Sequence, residues 1–191
     1  THEEVAFKTQ NFTPVSVSLG AVWDYQPGYN LGVSFAFSQR APSASELFSK
    51  GPHIGTSTYE VGALYDIHVE DDETHIELGD QKVNVETSYN ADITWRKFEG
   101  DFGFVVSAFY NQINDYYYQF NTGLYAEAHG DHFDISTDDD GLPIYKYTQE
   151  DVRLYGFESE FIYKLNDQFK TTVFADYINA KLDDGDYLPR T

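Results

Sequence analysis

A chain of 191 residues has the length of one ordinary domain, and its 32 acidic against 12 basic residues give a formal net charge of −20. So acidic a surface repels nucleic acid and concentrates cations, although excess Asp and Glu also serves simply to keep loops solvated. Cysteine is absent, which excludes disulfide staples and thiolate metal sites, and no run of about 18 apolar residues is present to cross a membrane as a helix.

The chain reads instead as strands. Residues 1–11 are expected to be the end of a preceding loop. From there Val15, Val17, Leu19, Ala21, Trp23 and Tyr25 alternate with Ser16, Ser18, Gly20 and Asp24. After the turn Gln26-Pro27-Gly28-Tyr29, a second segment sets Leu31, Val33, Phe35 and Phe37 against Asn30, Gly32, Ser34, Ala36 and Ser38. A long connection, about 40–86, follows, with Tyr65–Leu78 suggesting a small hairpin folded back above the sheet. The third segment has Tyr89, Ala91, Ile93 and Trp95 opposite Ser88, Asn90, Asp92, Thr94 and Arg96; the turn 97–101 leads to the fourth, with Phe102, Phe104, Val106, Ala108 and Tyr110 on one side. That fourth segment is the least regular, because Val105 and Phe109 share the other side with Ser107 and Asn111. A second long connection, about 119–151, precedes the fifth segment, where Tyr155, Phe157, Phe161 and Tyr163 oppose Glu158, Glu160 and Lys164. Across the turn 165–168 the sixth sets Phe169, Val173, Ala175 and Tyr177 against Lys170, Thr172 and Asp176, and 182–191 is expected to start another outer loop.

Period two with one apolar face is the strand signature, because successive side chains leave opposite faces of a pleated backbone. A half-buried sheet in water gives the same alternation over the usual 5 or 6 residues, about half the length seen here, whereas a tilted strand needs roughly 9–11 residues to cross the hydrocarbon layer. Short turns alternating with long connections match barrels with short periplasmic turns and long extracellular loops. The expected fold is therefore all-β: an antiparallel transmembrane β-barrel segment of about six long strands in three hairpins, spanning 1–191 and set in lipid. Trp23, Tyr25, Trp95, Tyr116, Tyr117, Tyr118 and Tyr163, near segment ends, are read as interfacial aromatics. Six strands are fewer than the smallest closed barrels have. With neither methionine nor a leader, the chain is expected to be a piece of a larger barrel that lacks a plug domain and a C-terminal strand.

Candidate chemistry is confined to the connections. His2, His53, His68, His75, His129 and His132 all fall outside the six segments, and each is expected in a loop. Without thiols, imidazole and carboxylate form the remaining set that suits zinc, with nickel and copper as competitors. His129, Asp131 and His132 are spaced so that a turn brings several donors to one cation, with Asp134 close behind. His68 and His75 flank Glu70, Asp71, Asp72 and Glu73, which two antiparallel strands would bring face to face. Against a metal site stands the plain tendency of polar residues to occupy loops. Asp138-Asp139-Asp140-Gly141 lacks the bidentate Glu of a calcium loop and reads as a solvated tip. Glu158 and Glu160 would face a lumen, where such charges are ordinary, and no nucleophile elbow, phosphate loop or zinc helix is present; an enzyme and an organic cofactor are not expected.

The stretch Ser38-Gln39-Arg40-Ala41-Pro42-Ser43-Ala44-Ser45-Glu46-Leu47-Phe48 resembles the Arg-Ala-Pro box of TonB-dependent outer-membrane receptors, and Glu86–Asn90, Ala108–Tyr116 and Tyr155–Glu160 resemble barrel strands of that family in order and spacing. Gly51–Gly62, with His53, is similar to the segment after the box in the zinc-uptake branch. The resemblance implies a 22-stranded barrel in the Gram-negative outer membrane, long loops outside, a plug coupled to the TonB system, and zinc as cargo. It makes His53 a barrel-side ligand, and residues 64–83 look like an insertion. Haem receptors of the same family are the alternative, opposed by the missing Asn-Pro box and by haem's own negative charge; an adhesive barrel with acidic loops is a third reading.

Overall fold

The computed structural model describes residues 9–70, 73–130 and 132–188, with backbone only at 69, 70 and 73. In chain order the elements are β1 (Ser16–Gln26), β2 (Tyr29–Arg40), α1 (Ala44–Phe48), β3 (Lys50–His53), β4 (Thr58–Val61), β5 (Tyr65–Glu70), β6 (Glu73–Leu78), β7 (Glu86–Lys97), β8 (Phe102–His129), β9 (His132–Ser136), β10 (Leu142–Lys164) and β11 (Lys170–Leu182). The six expected segments are β1, β2, β7, β8, β10 and β11, and they pair antiparallel in that order to form one wall. The described residues are all-β apart from one short helix, and they form an open sheet belonging to a larger barrel.

Register turns six separate alternations into one apolar face. Leu19, Phe35, Ala91, Tyr110 and Tyr155 lie in one cross-strand row; Ala21, Val33, Ile93, Ala108, Phe157 and Tyr177 lie in the next. The opposite face carries Ser34 and Asp92 side by side, hydrogen-bonded at 3.1 Å, and Glu158 beside Asp176. Phe109, the misfit on that polar face, sits opposite Gly156. A side chain at Gly156 would meet the Phe109 ring at 2.9 Å, so the ring occupies the space the glycine leaves. The β1–β2 turn has Pro27 then Gly28 at φ 75°, the order a type II turn requires.

Little of this wall is buried. Leu19 is 76 % and Phe174 70 % exposed, because in an isolated sheet both faces lack the lipid and lumen contents that would cover them. The buried residues cluster above it. Tyr59, Val61, Tyr65, Ile76, Ala126 and Ile144 form one core, and Leu47, Ala63, Leu64 and Tyr117 a second. Both arise where the connection between β2 and β7 folds against the upper parts of β8 and β10. Within it, β5 and β6 form the expected hairpin, and the β3–β4 hairpin adds to β10 through parallel pairing of Tyr59–Val61 with Ile144–Lys146.

The connection expected at about 119–151 is much shorter than the sequence pattern indicates. β8 runs to His129, β10 begins at Leu142, and β9 lies between them, so the two wall strands rise out of the membrane zone as a paired ribbon. Two irregularities hide this from a period-two reading. Asp115 has φ 55° and Gly123 φ 76°, and the β8–β10 register shifts near both. The bulge at Asp115, between the pairs Ile113–Val152 and Tyr116–Glu150, adds one residue to β8 and moves the side chains beyond it to the other face, so no single stripe runs the length of β8. The same break removes Tyr116, Tyr117 and Tyr118 from the interfacial belt. Tyr117 is 4 % exposed inside the second core, and Tyr116 and Tyr118 pack on Ile113, Val152 and Leu182.

Candidate functional site

All five described histidines lie in strands, correcting the loop placement, yet none lies in the membrane-crossing part of the wall: His53 is in β3, His68 in β5, His75 in β6, His129 at the end of β8 and His132 in β9. The alternation in these outer strands is too short, and too interrupted by charge, to register as a pattern. His2, Asp71, Asp72 and Asp131 lie outside the described residues, as does the side chain of Glu70.

His129 and His132 pair directly across the β8–β9 hairpin, next to the pair Glu127 and Asp134. Their ring centroids are 6.2 Å apart; His129 Nε2 lies 3.4 Å from Glu127 Oε2 and 3.7 Å from Asp134 Oδ2, and His132 Nε2 lies 3.5 Å from Asp134 Oδ1. Two imidazoles and two carboxylates thus share one exposed strand face. His68 and His75 are likewise opposite each other in the β5–β6 ladder, both exposed, while Ile76 on the other face enters the core. His53 is apart from both pairs. Its Nδ1 is 2.9 Å from the Thr56 hydroxyl and 4.0 Å from Glu60 Oε1, a local arrangement within the β3–β4 hairpin. Among the described residues, no three or more His, Asp and Glu side chains converge as a ready-made ligand set for a metal.

A denser polar network lies at the outer rim, and the sequence reading did not single it out. Arg40, the last residue of β2, donates from Nε and Nη2 to Glu86 Oε1 and Oε2 at 3.2 and 2.7 Å, and from Nη1 to both oxygens of Glu46 at 3.0 and 2.9 Å. Glu46 closes a capping box: Ser43 N donates to its carboxylate, and Glu46 N donates to the Ser43 hydroxyl. The guanidinium also stands over the Tyr117 ring, 5.8 Å from its centroid, and the Tyr117 hydroxyl donates to Asn84 O at 3.0 Å. Burial pushes the Glu46 carboxyl up, but the hydrogen bonds from Arg40 and Ser43 outweigh it and hold the group below the ordinary carboxylate range. The Ser-x-x-Glu spacing of 43–46 was the available signal. One cation therefore fastens the start of the long connection to two wall strands. That connection carries His53, His68 and His75.

The match to a family model covers residues 2–191, and that family is described as TonB dependent receptor-like, beta-barrel. The chain belongs to this family. Solved structures agree at the level of the fold. The copper transporter OprC superposes with a TM-score of 0.58 at 16 % identity, over 90 % of this chain and 21 % of its own. The siderophore receptor PirA from Pseudomonas aeruginosa gives 0.54 at 14 % identity, over 88 % and 28 %, and PirA from Acinetobacter baumannii gives 0.53 at 13 %, over 87 % and 23 %. The chain thus spans between a fifth and under a third of these receptors. Membership of the family places it in the Gram-negative outer membrane, with the apolar face of the wall against lipid. No helix among the described residues is long and apolar enough to cross a membrane.

Proposed function

We propose that this chain is part of the barrel of a TonB-dependent receptor that imports zinc, with the likeness of Gly51–Gly62 pointing to the zinc-uptake receptor ZnuD within the family. The observation that carries the reading is the Glu127, His129, His132 and Asp134 group on the β8–β9 hairpin, where two cross-strand pairs set imidazoles beside carboxylates on one exposed face. These groups pair with one another in the structure. A zinc ion replaces those pairings, with Asp131, next to His132 in the sequence, as a further candidate oxygen donor. The His68 and His75 pair, with Glu70, Asp71 and Asp72 between them in the sequence, offers a second place of capture. His53 is the barrel-side ligand on the way down, its set completed by plug residues. The net charge of −20 draws the cation to all three. The cargo undergoes no reaction; it is captured, handed inward and driven past the plug by the TonB system.

Zinc titration of the full-length receptor tests this. Tight binding is expected, with loss of affinity in the His129→Ala/His132→Ala double variant and a smaller loss in His53→Ala. Zinc must displace protons from imidazole, so affinity should fall steeply between about pH 7.5 and about 5.5. Affinity that stays flat over that interval would exclude histidine ligation. A Soret band on adding haem, with no zinc bound, would transfer the assignment to the haem branch.

A further inference from the structure

The two outer hairpins carry the same kinds of residue at the same rungs. In the β5–β6 ladder Asp66 faces Glu77 and, one rung nearer the turn on the same side, His68 faces His75. In the β8–β9 ladder Glu127 faces Asp134 and, again one rung nearer the turn, His129 faces His132. Side chains two residues apart share a face of a strand, so each hairpin presents a histidine pair above a carboxylate pair. Directly opposed residues on one face stand roughly 4.5–5.5 Å apart at Cβ, and diagonal neighbours roughly 7–8 Å. Imidazole and glutamate arms close such gaps around an ion with bonds of about 2 Å, although the donors as they stand are not gathered on one point. In the β5–β6 hairpin Asp66 is engaged by Lys146 Nζ, 3.6 Å away, and by the Gln81 amide, whereas Glu77 is exposed on the histidine side.

The backs of the two hairpins meet. Ile76, between His75 and Glu77, is buried in the core formed with Tyr59 and Ile144. Phe133, between His132 and Asp134, packs on the same core, its ring centroid 5.2 Å from that of Tyr59. β6 lies directly against β9. Among the described residues β5 and β6 form a two-stranded sheet that pairs with no other strand, and β9 pairs only with β8. A lone two-stranded hairpin is at best marginally stable in water, so the order of each depends on apolar side chains that both supply.

We propose that the two hairpins bind divalent cations as a coupled pair: His68, His75 and Glu77 hold one ion, Glu127, His129, His132 and Asp134 hold another, and each ion stiffens the core on which the other hairpin packs. The inference rests on the reading of both hairpins as zinc capture sites and adds to it the ligand Glu77 and cooperation between the sites. An ion that binds only the ordered hairpin stabilises it by mass action. Whichever hairpin fills first lowers the cost of ordering the other, and the coupling acts equally in both directions. The outer surface therefore responds to cation concentration more sharply than two independent sites do.

Hydrogen exchange of the full-length receptor, read by mass spectrometry with and without zinc, separates coupling from binding. In His68→Ala/His75→Ala the β5–β6 hairpin has lost its own imidazoles, yet zinc on the β8–β9 hairpin should still slow exchange across residues 65–78, by about fivefold or more. Adding Ile76→Ala, which removes no ligand, should abolish that distant protection while residues 127–134 stay protected. In the reciprocal variant, His129→Ala/His132→Ala, zinc on the β5–β6 hairpin should protect residues 132–136, and Glu77→Gln in that background should weaken the effect. Exchange in 65–78 that ignores zinc in the first variant, while 127–134 becomes protected, would overturn the coupling and leave independent capture sites standing. Wild-type protection persisting when all four histidines are alanine would overturn the ligand assignment. No zinc-dependent protection of either hairpin in the wild type would remove the capture reading and this inference together. All four histidines are exposed, so their replacement spares the core; if Ile76→Ala loosens the hairpin before zinc is added, the two histidine variants decide by themselves.

Discussion

Arg40 makes four side-chain hydrogen bonds to two carboxylates on two different elements, and that geometry belongs to arginine alone. Arg40→Lys keeps the charge but loses the fork, so it should release α1 nearly as fully as Arg40→Ala, at a cost of roughly 1–3 kcal/mol for charge-assisted bonds at a partly exposed site. Limited proteolysis of residues 41–85 in the folded receptor would read this; full protection in the lysine variant would show that charge alone suffices. Glu46 sets the pH dependence of the same clamp. Its folded pKa is depressed, so its contribution is present above the unfolded value and disappears as pH falls through the folded one. Protection of the 44–48 helix should hold at neutral pH and fade in the acid range below the ordinary carboxylate pKa, and Glu46→Gln should flatten the profile. Gly156 is a packing position of another kind, because a Cβ there would meet Tyr177 O at 2.1 Å and the Phe109 ring at 2.9 Å. Gly156→Val should force β10 and β11 apart, with an overpacking cost of about 1–3 kcal/mol or more, visible as loss of the heat-resistant folded band on electrophoresis.

Among the elements, the wall and the structure above it differ in what holds them. β1, β2, β7 and β11 are stripes matched to a membrane, whereas the β5–β6 hairpin closes a small aqueous core through Tyr65 and Ile76. Removing residues 65–78 should therefore leave the barrel folded while exposing Tyr59 and Ile144, so that hydrogen exchange quickens in β4 and at the top of β10 but not in β2 or β7. Equal exchange everywhere would mean that hairpin and core are independent. The short turns and the wall strands were readable because each rested on a local signal, Pro27-Gly28 or a stripe of five or six apolar residues. The ribbon formed by β8 and β10 was not readable, because the bulge at Asp115 resets the phase and the irregularity at Gly123 interrupts the pairing again. Asp115 is held there by partners distant in sequence: its backbone N–H donates to Asp151 Oδ1 at 2.9 Å, Asn84 Nδ2 donates to its carboxylate at 3.0 Å, and Gln149 Nε2 donates to its carbonyl at 3.0 Å.

For the molecule as a whole, the sorting of charge follows from the membrane. A substitution such as Leu19→Arg, near the middle of the outward stripe, should cost about 2–4 kcal/mol of folding free energy in bilayers, measurable as a shift of the denaturant midpoint, whereas Ser18→Arg on the other face should cost much less. Period-two alternation, the rhythm of turns and the absence of thiols determined from sequence alone that this is an antiparallel barrel wall in lipid and that any metal chemistry must use imidazole and carboxylate. Those properties are local, since each follows from which face a neighbouring residue takes. Only the tertiary structure decided that His129 meets His132 beside Glu127 and Asp134, that His53 stands apart, that Arg40 binds three elements together, and that the β5–β6 and β8–β9 hairpins back onto one core. Those depend on strand register and on bulges, where one extra residue reverses every face that follows, and no short window of sequence records that count.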